Sequence, residues 1–317
     1  MLRLLASLLL CLACAAHAAP VPVLQTPIDL ARPGGVLHGS LLLPQPGHPV
    51  PVVLILAGSG PTDRDGNNPE GGRNDSLKKL AWGLARAGIA SVRYDKRGVA
   101  AGLSLAPDER QLSVQAYVED ALAWSRQLHA DPRFGPLILL GHSEGALIAT
   151  LAAPQSPAKG LISIGGSGRP VGQLLEEQLK ARLPAELAQQ SQVLIEHLAA
   201  GQLDDQVPPQ LNVVFRPSVQ PYLISLFRQD PAKAIAAVKV PVLIVQGRHD
   251  IQVSEADARA LKAAQPNAKL ALIDGMNHVL RIVPMDMKAQ LGSYANPNLP
   301  LAWNLTPELV KFIDSLH

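Results

Sequence analysis

The sequence predicts an α/β protein with a mostly parallel sheet and helices on both of its faces. Two apolar runs, Val50–Ala57 and Leu137–Leu140, are uninterrupted and end at a glycine, which is typical of strands buried on both faces. Amphipathic segments alternate with such runs, as crossover helices alternate with parallel strands. Apolar residues form 47% of the 317-residue chain and charged residues 17%, so a large buried core is expected and global disorder is not.

Seven strands and five helices follow from the apolar patterns in chain order. The strands are predicted at Val36–Leu43 (an edge strand in a starting antiparallel hairpin), Val50–Ala57, Ile89–Tyr94, Leu137–Leu140, Leu161–Ile164, Val240–Val245 and Lys269–Ile273. The helices are predicted at Ser76–Ala87, Ser113–Leu128, Ala146–Ala153, Ser254–Ala264 and from Thr306 onward.

The strand signals stop between Val171 and Ala237, where the sequence is helical in pattern and rich in Gln, Glu, Ala and Leu. We therefore predict a helical cap at residues 169–237, inserted into a core formed by residues 19–168 and 238–317. In an enzyme, an insertion at this point covers the functional site.

The first 18 residues predict a secretory signal peptide. Arg3 precedes an apolar run from Leu4 to Ala16, and Ala16-His17-Ala18 places small residues where a signal peptidase cleaves. The run is shorter than the ~20 residues that a membrane-spanning helix needs. Cys11 and Cys14 fit a lipoprotein cleavage site poorly, so a lipid anchor is the less favoured alternative. We expect a periplasmic or secreted protein whose mature chain has no cysteine.

The candidate nucleophile is Ser143, in the sequence Gly141-His142-Ser143-Glu144-Gly145. This G-x-S-x-G pattern lies between a predicted strand and a predicted helix, which is the context of a nucleophile elbow. The glycines allow strand and helix to approach closely, and the serine hydroxyl is exposed at the positive end of the helix. The alternative is an ordinary glycine-rich strand–helix turn.

A serine hydroxyl needs a base, and the base needs an acid that orients it. In folds with this elbow the chain order is Ser, then Asp or Glu, then His. Asp250 and His278 satisfy that order, and each follows the carboxyl end of a predicted strand, at the sheet edge where Ser143 emerges. His249 is the one serious rival as base, but it precedes Asp250. We therefore predict Ser143, Asp250 and His278 as the catalytic residues.

Two backbone N–H groups are expected to bind the oxyanion of a tetrahedral intermediate. Glu144 follows the nucleophile at the helix start, and Ser59 lies in the glycine-rich loop after Val50–Ala57. We predict the N–H groups of these two residues as the oxyanion hole.

Other candidate sites are weaker. Residues 63–68 are rich in Asp and Asn, but their spacing is not that of an EF-hand, and a solvated loop is favoured. Asp95-Lys96-Arg97-Gly98 is interpreted as a structural ion-pair turn. We predict no cofactor and no metal, because dinucleotide and zinc signatures are absent from the sequence. The net charge of +2 comes without a Lys/Arg tract, so no nucleic-acid partner is expected.

With these residues placed, the chain resembles the bacterial carboxylesterases and serine-aminopeptidase-like members of the α/β-hydrolase superfamily over nearly all of its mature length. The matching stretches are LAGSGPTDRDGN, RYDKRGVAAG, GHSEG, VPVLIVQGRHDIQV, DGMNHVL and the cap segment FRPSVQPYLISLFRQDPAKAI. The resemblance implies the α/β-hydrolase fold and hydrolysis of an ester, thioester or amide through an acyl-enzyme.

A small-molecule carboxylic ester is the favoured substrate, because no acidic cluster in the cap clearly provides a site for the free amine of a peptide. Four carboxylates could nevertheless hold such an amine: Glu176, Glu177, Asp204 and Asp205. Two alternatives therefore stay open. One is a peptidase or amidase that uses the same three residues, and the other is a hydrolase-fold binding protein with little turnover.

Overall fold

The computed structural model describes residues 22–45 and 47–316, and the predicted signal peptide lies outside them. The described chain forms one eight-stranded sheet in the order β1-β2-β4-β3-β5-β6-β7-β8. The strands are β1 (Val23–Arg32), β2 (Gly35–Pro44), β3 (Val50–Leu56), β4 (Ala90–Tyr94), β5 (Phe134–His142), β6 (Gly160–Ile164), β7 (Val242–Gly247) and β8 (Lys269–Ile273).

Eleven α-helices accompany the sheet in the described residues. They are α1 (Ser76–Arg86), α2 (Val114–Ala130), α3 (Glu144–Ala152), α4 (Val171–Arg182), α5 (Ala185–Ala199), α6 (Asn212–Phe215), α7 (Gln220–Phe227), α8 (Pro231–Ala236), α9 (Glu255–Ala264), α10 (Met287–Tyr294) and α11 (Leu305–Asp314). None of the helices in the described ranges is long and apolar enough to cross a membrane.

The sheet is parallel from β4 to β8 and antiparallel at one edge, where β1 pairs with β2 and β2 with β4. Side chains alternate between two cores because successive residues of a strand point to opposite faces. In β3, Val52 and Leu54 enter the core beneath α2, α3 and α9, whereas Val53 and Ile55 enter the core beneath α1 and α11. The predicted α/β fold with helices on both faces is confirmed.

The sheet differs from expectation at its edge and in the bounds of several strands, and β5 is longer than the predicted Leu137–Leu140 at both ends. We expected Val36–Leu43 at the edge of the sheet, but β1 is the edge strand and β2 lies second, paired on both sides. The strand predicted at Val240–Val245 begins two residues later, at Val242. Pro241 lies just before it, and a proline has no N–H to donate within a sheet.

The chain between β6 and β7 contains only helices, α4 to α8. We call this segment, residues 171–236, the helical insertion. Its apolar side chains, among them Leu194, Phe215 and Leu226, are continuous with the core beneath α2 and α3. The segment therefore packs on the sheet domain over the end where the parallel strands terminate.

Candidate active site

The turn between β5 and α3 holds Ser143 in a strained conformation. Its φ of 55° and ψ of −121° are rare for a residue with a side chain, and such strain is worth about 1–3 kcal/mol. The surrounding backbone leaves no room for larger neighbours: a Cβ on Gly141 would lie 2.0 Å from the Gly145 carbonyl oxygen, and one on Gly145 would lie 2.3 Å from that of Leu56. The turn presents Ser143 at the start of α3.

Asp250 and His278 form a buried pair in the loops after β7 and β8. The Nδ1 atom of His278 lies 2.8 Å from Oδ2 of Asp250, and the two side chains are 6% and 3% exposed. The other carboxylate oxygen of Asp250, Oδ1, accepts the N–H groups of Gln252 (2.8 Å) and Val253 (3.0 Å). Because an ionised carboxylate only accepts, Nδ1 carries the proton and Nε2 is free to act as a base.

The charge state of Asp250 results from opposing effects. Burial alone raises the pKa of this carboxyl group. The charge and hydrogen bond of His278, with the N–H groups of Val253 and Gln252, outweigh burial and hold the pKa of Asp250 below its ordinary value. The group is therefore ionised at neutral pH.

The loop after β6 brings the elbow and the pair together. The N–H of Ser143 donates to the Ile164 carbonyl (2.9 Å) at the end of β6. The next residue, Gly165, has a φ of 58°, and a Cβ there would lie 3.5 Å from Oδ2 of Asp250 and 3.6 Å from Nδ1 of His278. Among the described residues no hydrogen bond joins the side chains of Ser143 and His278, and catalytic hydrogen bonds of this kind often tighten only when substrate binds.

His142, which precedes Ser143, holds the backbone of His278. Its Nε2 lies 2.8 Å from the His278 carbonyl oxygen, and the two rings are 4.8 Å apart at their centres. Burial, followed by the charge of His278, lowers the pKa of His142 to about 4. His142 is therefore neutral at pH 7, and its Nε2 donates to the carbonyl. The two residues of this contact lie 136 positions apart, so no local sequence pattern indicates it.

The loop that carries His278 is held from the far side by α10, a helix that the sequence did not predict. Asn277 donates to Ser293 (2.7 Å) and to Gln290 (3.3 Å), both buried on α10. The helix buries these polar residues and leaves Met287 and Leu291 exposed. It therefore lacks the apolar stripe by which an amphipathic helix is recognised in a sequence.

Ser59 and Glu144 line a cavity of about 930 Å³ together with Ser143. In the described part of the chain, the N–H of neither residue donates to another backbone group. A Cβ on Gly58 would lie 3.3 Å from Cβ of Ser143, so the loop before Ser59 closely approaches the elbow. The two N–H groups are thus free to bind a ligand oxygen.

The walls of the cavity are mostly apolar and are shared between the helical insertion and the rest of the chain. Leu174 and Leu175 of α4 and Leu223, Leu226 and Phe227 of α7 face it. Such a chamber accommodates an uncharged substrate with a hydrophobic portion.

Most acidic groups of the cavity wall are next to a cation. Glu109 binds Arg216 of the helical insertion at 2.6 Å, and Asp108 contacts Arg110 at 3.3 Å. Glu144 is near buried Lys96, whose pKa it influences. Glu70 lies at the exposed rim.

The four carboxylates that could have held an amine do not line this cavity: Glu176, Glu177, Asp204 and Asp205. Glu177 pairs instead with Arg169 at 2.6 Å, and Asp204 with His197 at 3.1 Å.

The Asp/Asn-rich loop at residues 63–68 is less solvated than predicted. It is half-buried and bonded to itself: Oδ1 of Asp63 accepts the N–H groups of Asp65 and Asn67, each at 2.9 Å, and Asn67 in turn accepts the N–H of Asp75 at 2.8 Å. No group of three metal-binding side chains occurs in residues 22–45 and 47–316. The loop braces the start of α1.

Comparisons with known proteins agree with this architecture. A model of the family described as serine aminopeptidase, S33, matches residues 72–282. Esterase EstD of Thermotoga maritima is 31% identical over 248 residues, which are 77% of this chain. The chain spans 58% of the length of that esterase.

Solved structures also share the fold. Est1E from Butyrivibrio proteoclasticus aligns with a TM-score of 0.59 at 18% identity, covering 92% of this chain and 98% of Est1E. The esterase domain of a Rhodothermus marinus protein aligns with a TM-score of 0.55 at 17% identity, covering 92% and 99% of the two chains. At these identities the likeness concerns the fold alone.

Proposed function

The chain belongs to the serine aminopeptidase S33 family of the α/β-hydrolase superfamily, and on that premise we propose that it is an exported serine hydrolase that cleaves carboxylic esters. The observation that carries the proposal is the strained Ser143 turn next to the buried Asp250–His278 pair. A protein that only binds its ligand has no use for this arrangement, which argues against the low-turnover alternative.

In the proposed reaction, the Ser143 hydroxyl oxygen attacks the ester carbonyl carbon while Nε2 of His278 takes its proton. Asp250 holds the imidazole in the correct tautomer and stabilises its charged form. The N–H groups of Ser59 and Glu144 bind the oxyanion.

The tetrahedral intermediate then collapses. His278 gives its proton to the alcohol oxygen as the carbon–oxygen bond breaks, and the acyl group stays on Ser143. Water, deprotonated by His278, attacks this acyl-enzyme, and the acid leaves as Ser143 regains its proton.

The character of the cavity favours an ester over a peptide substrate. An aminopeptidase needs an acidic group that binds the free amine of its substrate. In the cavity wall, Asp108 and Glu109 are next to arginines. Glu144 is near Lys96, and the charge of Glu70 at the rim acts on Arg216. The description of the family, serine aminopeptidase, keeps an aminopeptidase as the second candidate.

The first experiment is a set of initial rates on p-nitrophenyl esters of increasing acyl length, for the wild type and Ser143→Ala. We expect the variant to lose a factor of about 10³ or more in kcat. If both proteins are inert, aminoacyl arylamides become the substrates to test. If both are equally active, Ser143 is not the nucleophile.

A fluorophosphonate probe separates the enzyme from a binding protein, since it labels only an activated serine. Labelling of the wild type and not of Ser143→Ala is expected. An unlabelled wild type that also leaves esters and arylamides intact contradicts the proposal.

Export is tested separately, by fractionating cells that express the full chain and sequencing the N-terminus of the recovered protein. We expect a periplasmic or extracellular chain that starts at Ala19. A cytoplasmic chain that retains the first 18 residues contradicts this part of the proposal.

A further inference from the structure

Lys96 is a buried lysine whose side chain points to the loop of Ser59. It follows β4 and is 6% exposed, and its ammonium group donates to the carbonyl oxygen of Gly58, 38 residues away in the chain. The predicted ion-pair turn is formed by its neighbours instead: Asp95 binds Arg64 and Arg97 binds Asp120, each at 2.7 Å.

Lys96 donates to a backbone carbonyl, whereas its neighbours Asp95 and Arg97 form ion pairs. In the described residues no carboxylate lies within ion-pair distance of its ammonium, which sits 5.6 Å from the ring centre of Tyr117. Burial lowers the pKa of Lys96, while the charge of Glu144 opposes that effect. A buried lysine without a salt bridge is costly for a fold, so its position calls for a reason beyond stability.

The geometry of the peptide bond supplies that reason. The Gly58 carbonyl and the Ser59 N–H belong to one planar trans peptide unit and point in opposite directions. A donor that anchors the carbonyl therefore fixes the direction of the N–H. Gly58 has no side chain that would restrict rotation of this unit, and the unit lies next to Ser143.

The ammonium also acts electrostatically. A cation on the carbonyl oxygen polarises the peptide unit and strengthens its N–H as a donor, because linked hydrogen bonds reinforce one another in a low-dielectric interior. The effect is greatest when negative charge develops on the ligand oxygen.

We propose that Lys96 is a positioning residue that aims and polarises the Ser59 N–H of the oxyanion hole. The inference rests on the proposed function, in which that N–H binds the oxyanion. Lys96 itself does not touch the substrate.

The test compares Lys96→Met, which keeps the length of the stem but removes the donor, with Arg97→Met, which removes the neighbouring cation. Three quantities are measured for each: kcat and KM on the best p-nitrophenyl ester, the affinity for an alkyl trifluoromethyl ketone, and the melting temperature. The ketone carbon accepts the serine oxygen and forms a hemiketal oxyanion, with the serine proton on His278, so its affinity reports on the oxyanion hole.

For Lys96→Met we expect kcat to fall about 100-fold with KM within threefold of the wild type, since loss of one oxyanion donor reduces kcat by about 10²–10³. The affinity for the ketone should fall by a similar factor. Arg97→Met should lower the melting temperature and leave kcat and ketone affinity within threefold.

A second substitution, Lys96→Gln, covers the case in which the Met variant does not fold. Its amide is neutral and one atom shorter, and we expect about a tenfold loss in both kcat and ketone affinity. If the wild type is active and a folded Met or Gln variant has the same kcat and the same affinity for the ketone, Lys96 does not have the proposed role. A wild type that neither hydrolyses the ester nor labels at Ser143 refutes the proposed function, and the role of Lys96 with it.

Discussion

Replacing Asp250 by asparagine changes one oxygen of a buried carboxylate into an NH₂ group of nearly the same size. The structure determines which oxygen is replaced. Oδ1 accepts the N–H groups of Gln252 and Val253, at 2.8 and 3.0 Å, and an NH₂ group there would face two donors. On the other side, Oδ2 accepts one longer hydrogen bond from Nε2 of Gln246, at 3.3 Å. The amide oxygen of the variant therefore stays with the two shorter donors, and its NH₂ faces Nδ1 of His278.

This orientation reverses the hydrogen bond on which the base depends. The NH₂ group can only donate, so Nδ1 of His278 must accept, and the ring proton moves to Nε2. A protonated Nε2 of a neutral ring cannot take the proton of Ser143. The wrong tautomer in a triad lowers kcat by about 10⁴, which corresponds to about 5 kcal/mol in the activation free energy.

The chain offers a matched control in another His–Asp pair, which lies in the helical insertion. His197 and Asp204 are 3.1 Å apart in the helical insertion, and Asp204 also accepts a backbone N–H, that of Gln206 at 2.9 Å. Asp204→Asn thus makes the same chemical change away from Ser143, and we expect kcat within threefold of the wild type.

The assay is steady-state hydrolysis of the best p-nitrophenyl ester by the wild type and both variants, with circular dichroism and melting temperatures as the check on folding. A folded Asp250→Asn protein with kcat within tenfold of the wild type would refute the tautomer argument. If Asp250→Asn and Asp204→Asn lose kcat equally, the loss does not depend on the Asp250–His278 pair.

Two further predictions concern stability and substrate size. Because the pKa of folded His142 is about 4 against 6.5 for an unperturbed histidine, the unfolded state binds more protons between these values, and acidification from pH 7.5 to pH 4 should remove about 3 kcal/mol of stability. The free energy of unfolding is measured by urea titration for the wild type and for His142→Gln. The wild type should lose about 3 kcal/mol more than the variant over this pH range. Equal pH profiles of the two proteins would contradict the prediction. Leu223→Trp narrows the cavity by the room of about two methylenes. We expect kcat/KM to fall about tenfold for the longest accepted ester, while short esters react as before. If the dependence of kcat/KM on acyl length is unchanged, Leu223 does not contact the acyl group.

The fold could be predicted from the sequence because its signals are local. A strand buried on both faces has to be apolar along its length, as in β3, and a tight strand–helix turn requires glycine at both Gly141 and Gly145, whatever the rest of the chain does. The order of Ser143, Asp250 and His278 along the chain, together with their places after strands, was likewise readable without coordinates. The hydrogen bond between Asp250 and His278 agrees with that reading.

The supporting contacts of the site were decided by the tertiary structure. His142 reaches the His278 carbonyl across 136 residues, Lys96 reaches Gly58 across 38, and α10 is held through Asn277 by buried polar groups. The residue type of Lys96 does not show whether its side chain forms an ion pair, lies in solvent or donates to a peptide carbonyl. Its partner is set by which loops the sheet brings to one edge, and periodicity along the chain carries no information about a contact between distant segments.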